Sequence, residues 1–241
     1  MCPALFAQFH SNFEPDLSPS NRLYMKTTIA FSTAKHVSYA NRISEMICQA
    51  SKKRGTGIAL RSPDYLAEKM ASGHAVIALT GKEVVGFCYL ETWSHQRYVV
   101  NSGLIVDEKF RQTGLASAIK QKAFQLSRSL YPKARIFGIT TSLPVMKINS
   151  NLGYKPVTFS ELTDDEAFWH GCRSCNNYDI LMRNHRAMCL CTGMLYDPTI
   201  DKKQKALSKT DRWDRFKRFL KLRKIRVQRK LQSITSISLV L

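Results

Sequence analysis

The chain has 241 residues, of which 44% are hydrophobic, and a formal net charge of +19 at pH 7. This length fits one packed domain with extensions, and the composition is that of a soluble globular protein. No apolar run reaches the ~18 residues of a membrane-spanning helix, and residues 1–10 lack the basic start and apolar stretch of a signal peptide, so we expect a cytoplasmic protein.

Positive charge is concentrated at the C-terminal end. Residues 201–241 contain fourteen Lys or Arg and three Asp, which account for +11 of the net +19. Such a basic tail can contact nucleic acid or an anionic membrane whatever the rest of the chain does. The basic residues are interleaved with Trp213, Phe216, Leu220, Val227 and Leu231. This pattern fits a basic amphipathic helix, and it fits a solvated, disordered tail equally well.

The N-terminal part of the chain alternates helical and strand patterns. Residues 1–24 are rich in Ser, Pro and Asn, which predicts a flexible leader, with an ordered extension as the alternative. The folded domain is expected over 25–200. Its first elements are predicted as a strand over 27–33, a helix over 35–53, a helix over 62–70 and a hairpin of strands 75–80 and 84–90. The second helix begins at Ser62, a preferred N-cap residue, followed by proline at the first helical position.

The C-terminal part continues the alternation. The predicted elements are a strand over 98–106, a helix over 116–130, a strand over 135–140, a helix over 142–152 and short strands over 157–160 and 178–182. The order is strand, two helices, three strands, helix, strand, helix and strands. It predicts an α/β domain with a mixed central sheet and helices on both faces.

The junction between strand 98–106 and the following helix is the most informative segment. An apolar strand runs into Arg-x-x-Gly-x-Ala and then into an amphipathic helix. Such a turn aims unpaired backbone N–H groups and the positive end of the helix dipole at one point, which suits a pyrophosphate. On its own the pattern is also that of an ordinary strand–turn–helix. The candidate binding residues are Ile105, Val106, Arg111, Gln112, Thr113, Gly114, Leu115 and Ala116.

A second motif makes the pattern more specific. The helical segment 142–154 ends in Leu152-Gly153-Tyr154, about thirty residues after the first motif. Together the two motifs resemble those of the GCN5-related N-acetyltransferases, the GNAT family, over residues 26–198. The resemblance implies the GNAT fold and acetyl-CoA, or another acyl-CoA, as the donor bound at the 111–116 turn. More narrowly, the segments 54–58, 159–169 and 188–196 resemble a bacterial N-acetylglutamate-synthase-like subgroup linked to arginine biosynthesis.

Acyl transfer from a thioester to an amine needs a base and a means of stabilising the leaving group. Glu91, near the end of the third strand, is the candidate base, and a solvated strand-end carboxylate is the alternative. Asn101 and Ser102 are candidates for orienting water or the acceptor. In many relatives a tyrosine protonates the departing thiolate at the position that Asn149 occupies here. Asn149 can hydrogen-bond coenzyme A but cannot usefully supply a proton, so the general acid stays open between Tyr154, Tyr178 and no acid at all.

A carboxylate-bearing acceptor such as glutamate requires cationic partners. Arg54, Arg61 and Lys147 are the cations expected nearest the cleft, and Arg54 is favoured because it precedes the Gly55-Thr56-Gly57 connection.

The cysteines form a second pattern. The chain has seven, an odd number, which favours reduced thiols or a metal site over a disulfide network. Two close pairs, Cys172 with Cys175 and Cys189 with Cys191, could meet as a tetrahedral zinc site. A thiol acting near the acyl group and purely structural cysteines are the alternatives.

These observations predict an acyl-CoA-dependent N-acyltransferase that moves an acetyl or succinyl group to the amine of a small amino acid, with glutamate as the first candidate. The rival enzyme activity is protein N-acetylation. The rival from another class is a non-catalytic module that binds nucleic acid or membrane. A homodimer is compatible with the sequence.

Overall fold

The computed structural model describes residues 27–55 and 58–200, together with the single positions 217 and 221. The predicted leader over 1–24 and nearly all of the basic tail lie outside these residues. The chain divides into two compact units, Met1–Asp197 and Pro198–Leu241, and the fold below is that of the first. In the described part of the chain, no helix is both long and apolar enough to cross a membrane.

A seven-stranded mixed sheet forms the centre of this unit. Its strands are β1 (Thr27–Phe31), β2 (Ala75–Thr80), β3 (Glu83–Trp93), β4 (Tyr98–Val106), β5 (Arg135–Thr140), β6 (Lys155–Val157) and β7 (Thr192–Tyr196). They lie in the order β1-β2-β3-β4-β5-β7-β6. All neighbours are antiparallel except β4 and β5, which are parallel.

Helices cover both faces of the sheet. They are α1 (Ala40–Arg54), α2 (Pro63–Ala71), α3 (Leu115–Leu130), α4 (Leu143–Asn151), α5 (Glu166–His170) and α6 (Tyr178–Arg183). Strand β2 shows the two faces by its alternation: Val76 and Ala78 belong to the core that includes α3, whereas Ala75 and Ile77 belong to the core that includes α1 and α2. The predicted α/β class, with a mixed sheet and helices on both faces, is confirmed.

Two irregularities of β4 shape the centre of the sheet. Its parallel pairing with β5 joins residues 98–100 to residues 135–137 and extends no further within the described residues. On its other edge, the pairing with β3 shifts register between Phe87 and Tyr89, which leaves a bulge around Gly103. Gly103 has φ +63°, and a Cβ there would lie 2.4 Å from the Tyr89 ring. Beyond Val100, therefore, β4 diverges from β5 and leaves a gap in the sheet, which we call the β4–β5 gap.

Most predicted elements are present with shifted ends, but the last part of the domain needs correction. Residues 178–182 form helix α6 and not a strand, because Asn177 opens a helical turn that buries Leu181. The strand predicted over 157–160 ends at Val157. Thr158 then starts a 3₁₀ turn, in which the Glu161 side chain accepts from the Thr158 backbone N–H. Strand β7 was not predicted at all.

Candidate active site

A cavity of about 550 Å³ opens beside the middle of the sheet. Its wall includes residues 91–93 of β3, 100–105 of β4 and 138–140 of β5, together with residues of the connection between α1 and α2 and of the segment around α5. The β4–β5 gap therefore opens onto this cavity. Of the predicted site residues, the wall contains Arg54, Glu91, Asn101, Ser102, Ile105, Asn149, Cys172, Cys175 and Cys191.

The turn of residues 111–116 follows β4 and begins α3 at Leu115. Gln112 and Gly114 both have positive φ, +64° and +84°, which turns the chain sharply into the helix. Among the described residues, the backbone N–H groups of residues 112–117 have no hydrogen-bond partner, whereas the next one, that of Ala118, bonds to the Gly114 carbonyl. The helix thus presents a set of free N–H donors at its positive end, as an anion site requires.

Arg111 anchors the turn to the end of β4. Its Nε donates to the Val106 carbonyl at 3.3 Å, and its guanidinium pairs with Glu108 at 3.2 Å. Glu108 also accepts from the Lys53 ammonium at 2.7 Å. Gly114 has open space around its Cα, so its positive φ explains the requirement for glycine within the protein.

Glu91 lies at the cavity end of β3 and is only 9% exposed. The Tyr65 hydroxyl donates to its Oε1. Next to this pair, Arg61 Nε donates to the Tyr89 hydroxyl at 2.8 Å. Sequence reasoning missed Tyr65 and Tyr89, because a tyrosine on an apolar helix face or strand is typical of an ordinary core residue.

The surroundings shift the pKa values of three of these side chains, Tyr65, Tyr89 and Arg61. Burial, followed by the adjacent Glu91 carboxylate, raises the pKa of Tyr65 far above its usual value. The same two causes raise the pKa of Tyr89. Burial acts to lower the pKa of Arg61, but Tyr89 and Glu91 outweigh it, so that this pKa is raised. The cavity therefore holds a carboxylate, a permanent cation and two neutral phenols.

Asn101 and Asn149 lie on the wall near the β4–β5 gap, and both are buried. The Asn101 side chain is fully engaged: its Nδ2 donates to Ser127 Oγ at 2.7 Å and its Oδ1 accepts from the Tyr154 hydroxyl at 2.9 Å. The Asn101 side chain is therefore held in place by protein groups, and its backbone carbonyl accepts from Lys120 Nζ at 3.2 Å. Asn149 differs, because its Oδ1 is buried without a hydrogen-bond partner among the described residues. Ser102, also on the wall, is half-buried.

Comparison with known proteins shows what the domain resembles. Residues 45–143 match the model of the acetyltransferase (GNAT) family. This match covers less than half of the chain, so it shows a similarity to that family. No curated protein sequence matches it at a significant level.

Solved structures have the same fold at low sequence identity. N-acetylglutamate synthase from Neisseria gonorrhoeae, complexed with coenzyme A and N-acetyl-glutamate, has a TM-score of 0.51 and 14% identity; the match covers 71% of this chain but only 35% of that one. Rv2747 from Mycobacterium tuberculosis, in complex with CoA and NLQ, has a TM-score of 0.51 and 18% identity. This match covers 70% of this chain and 98% of that one. An acetyltransferase of the GNAT family from Staphylococcus aureus Mu50 has a TM-score of 0.52 and 12% identity, and the match covers 72% of this chain and 99% of that one. At these identities the likeness establishes the fold.

Of the three cations predicted near the cleft, Arg54 and Arg61 line the cavity. Arg54 ends α1 and is exposed at the rim, whereas Arg61 lies deeper. Lys147 is exposed on α4 and is not part of the cavity wall. Besides Tyr89, the Arg61 guanidinium donates to the carbonyls of Leu60, at 2.9 Å, and Gly171, at 3.4 Å. Arg61 is therefore the better oriented of the two lining cations.

The four clustered cysteines lie on the same side of the cavity as Arg61. Burial raises the pKa of Cys172 to about 11, and the neighbouring Cys175 and Cys189 add to the shift. Burial likewise raises the pKa of Cys191 to about 12, with contributions from the other three. The four thiols are thus close together, and two of them, Cys172 and Cys191, are hard to ionise.

The predicted zinc site is not supported. Within the described residues, no group of three or more His, Cys, Asp or Glu side chains is arranged to hold a metal ion. Cys189 Sγ donates instead to the Asn177 carbonyl at 3.8 Å, and Cys175 Sγ accepts from the Asn177 N–H at 3.5 Å.

Proposed function

We propose that this protein belongs to the GNAT family and is an acyl-CoA-dependent N-acyltransferase that moves an acetyl or succinyl group to the amine of a small amino acid. The observation that carries the proposal is the pairing of two features on one strand. Strand β4 lines the cavity that holds Glu91 and Arg61, and its end leads directly into the 111–116 turn with its free N–H groups. One strand thus connects an anion site with a site for proton transfer.

The donor is assigned to the turn and to the β4–β5 gap. Coenzyme A carries a pyrophosphate, which suits the free N–H groups of residues 112–117 and the positive end of α3. The structural neighbours from N. gonorrhoeae and M. tuberculosis were both determined with coenzyme A, which supports this choice of donor. The gap then gives the thioester arm a route into the cavity along the unpaired edge of β4.

Glu91 is assigned as the base. The amine must lose a proton to attack the thioester carbon, and most amines are protonated at neutral pH. The Tyr65 hydroxyl holds one oxygen of the Glu91 carboxylate, so that the other is available to accept a proton directly or through water. As the new C–N bond forms and the C–S bond breaks, the amine proton passes to Glu91.

Arg61 is assigned to the carboxylate of the acceptor, with Arg54 at the rim as a second cation. Arg61 is fixed by Tyr89 and two backbone carbonyls, which orients its planar group before the acceptor arrives. A glutamate acceptor has two carboxylates, and two arginines would match them. Glutamate, with a role in arginine biosynthesis, is therefore the first acceptor to test, and the glutamate derivative bound to the N. gonorrhoeae enzyme supports the choice.

The test is mass spectrometry of products formed by the purified full-length chain from acetyl-CoA or succinyl-CoA and each of the twenty amino acids. We expect one N-acylated amino acid to dominate. Gly114→Val should abolish its formation, because the new side chain fills the space in front of the free N–H groups. Gly73→Val is the matched control, since Gly73 also has positive φ, +73°, and open surroundings, and lies outside the cavity wall.

The outcomes separate cleanly. Product formation that is lost in Gly114→Val and retained in Gly73→Val supports the proposal. Acylation of the protein itself or of an added peptide, with no acylated amino acid, would establish the protein N-acetyltransferase alternative. Equal affinity of wild type and Gly114→Val for coenzyme A in calorimetry would refute the turn as the donor site.

A further inference from the structure

Lys120, in the second turn of α3, is a buried lysine that the proposed reaction has not yet used. It is 2% exposed, and no acidic side chain among the described residues forms a salt bridge with it. Its Nζ donates to the Asn101 carbonyl at 3.2 Å and lies 5.7 Å from the centre of the Tyr154 ring. A buried cation with one neutral acceptor is costly, so a site of this kind favours a negative charge brought in from outside.

The position of Lys120 places this cation at the β4–β5 gap. Asn101 is the first β4 residue past the segment that pairs with β5. A Cβ built on Gly138 of β5 would lie 3.9 Å from the Asn101 carbonyl oxygen and 4.0 Å from Asn149 Nδ2. Lys120, Gly138 and Asn149 all contribute to the cavity wall. The lysine, the glycine and the asparagine therefore surround one region of the gap, and glycine keeps that region open.

Asn149 provides an independent sign that a ligand belongs in this region. It is 1% exposed, and its Oδ1 is buried with no hydrogen-bond partner in the described residues. Leaving a buried carbonyl oxygen unpaired costs about 1–3 kcal/mol. A ligand that carries an N–H donor into the gap would satisfy it, and the amide groups of the coenzyme A arm are such donors.

We propose that Lys120 is a catalytic residue, the proton donor to the sulfur atom that leaves the thioester. The inference rests on the proposed function. When the tetrahedral intermediate collapses, the C–S bond breaks and the electron pair stays on sulfur. A proton passes from the Lys120 ammonium to this sulfur, and solvent restores it after the products leave. Glu91 holds the proton that the amine released, so the two groups handle two different protons of the reaction.

Other proton donors in the cavity are less suited to this step. The hydroxyl of Tyr65 is engaged with Glu91, and burial raises the pKa values of both Tyr65 and Tyr89, which makes them weaker acids. Burial instead lowers the pKa of the Lys120 ammonium, although the nearby Cys88 opposes the shift. This shift brings the pKa of the ammonium closer to the pKa of an alkyl thiol, about 8.5. A proton moves most readily between groups whose pKa values are similar.

The first experiment compares Lys120→Met and Lys120→Arg with wild type. Methionine has a similar shape and removes a buried charge, so the fold should be at least as stable. We expect kcat with acetyl-CoA to fall about 10²-fold or more in Lys120→Met. The decline in kcat at high pH, which reports loss of the Lys120 proton, should disappear in this variant. Lys120→Arg keeps the buried charge but should recover at most a small part of kcat, because a guanidinium can stabilise the departing thiolate electrostatically but does not readily give up a proton.

Lys122→Met is the matched control. It makes the same substitution on the same helix, but Lys122 lies over the Phe31 ring and outside the cavity wall. We expect its kcat and pH profile to match wild type. A Lys120→Met enzyme with wild-type kcat and an unchanged pH profile would overturn the assignment.

A binding measurement tests Lys120 without requiring turnover. Wild type should bind coenzyme A more tightly than desulfo-coenzyme A, because the Lys120 ammonium can donate a hydrogen bond to the sulfur atom that desulfo-coenzyme A lacks. Lys120→Met should bind both ligands equally. If wild type binds both equally, Lys120 is not in contact with the sulfur, even though the donor site stands. If neither ligand binds, the proposed function fails as well, so the two failures are distinguishable.

Discussion

The environment of Glu91 is determined by residues that are not its neighbours in the sequence. As part of the sequence it is one of eighteen acidic residues, and its place at the end of an apolar strand could equally be a solvated position. In the structure it is 9% exposed, accepts a hydrogen bond from Tyr65 and shares the cavity with Arg61. The strand pattern could predict which way it points. It could not predict the buried partners, which come from a helix far away in the sequence.

We predict that Glu91→Gln lowers kcat by about 10²–10⁴-fold, because the amide keeps the size of the side chain but cannot accept the amine proton. Affinity for coenzyme A should stay near the wild-type value. Glu83→Gln is the control, since Glu83 lies on the same strand at its exposed start. Steady-state kinetics of the three proteins is the measurement. Full activity in Glu91→Gln would show that another group takes the proton.

At the scale of elements, local signals were sufficient in the first two-thirds of the chain. Ser62 accepts from the Tyr65 backbone N–H as an N-cap, and the hairpin of β2 and β3 turns at Gly81 and Lys82 as its pattern predicts. The signals weaken after residue 156. Strand β7 pairs with both β5 and β6, so its existence depends on partners distant in sequence. The segment 178–182 is short, and a period of two cannot be distinguished there from a helical turn.

The bulge of β4 gives an element-scale prediction. Gly103→Ala should destabilise the protein by roughly 3 kcal/mol, because its Cβ would meet the Tyr89 ring at 2.4 Å and the residue has positive φ. Gly73→Ala isolates the contribution of the backbone conformation, because Gly73 has a similar φ but open space around it. This variant should lose roughly 1 kcal/mol of unfolding free energy. Urea unfolding of both variants measures the difference. Equal losses would mean that the Tyr89 ring moves aside freely.

At the scale of the whole molecule, charge and candidate chemistry occupy different parts of the chain. Residues 201–241 account for +11 of the net +19, whereas every residue assigned to donor, acceptor or proton transfer lies before residue 200. The tail falls outside the described residues, so its predicted amphipathic helix stays a prediction. Its charge alone supports an electrostatic role separate from acyl transfer.

We predict that a chain ending at Ile200 keeps the turnover of the full chain and loses salt-sensitive binding to nucleic acid or anionic vesicles. Binding by a basic tail should weaken steeply with salt, because each neutralised phosphate releases counterions. Turnover, together with binding to a DNA duplex and to vesicles containing phosphatidylserine at two salt concentrations, is the comparison to make. Loss of turnover in a folded, truncated chain would place part of the tail in the active site or in a dimer interface.

The raised pKa values of Cys172 and Cys191 limit how the acyl group can travel. A cysteine carries an acyl group only after its thiolate attacks, and thiols with pKa values of about 11 and 12 are almost entirely protonated at neutral pH. Although these two cysteines line the cavity, a covalent acyl-enzyme is disfavoured on either of them. For the proposed reaction we therefore expect the acyl group to pass directly from donor to acceptor while both occupy the cavity, in a single ternary complex.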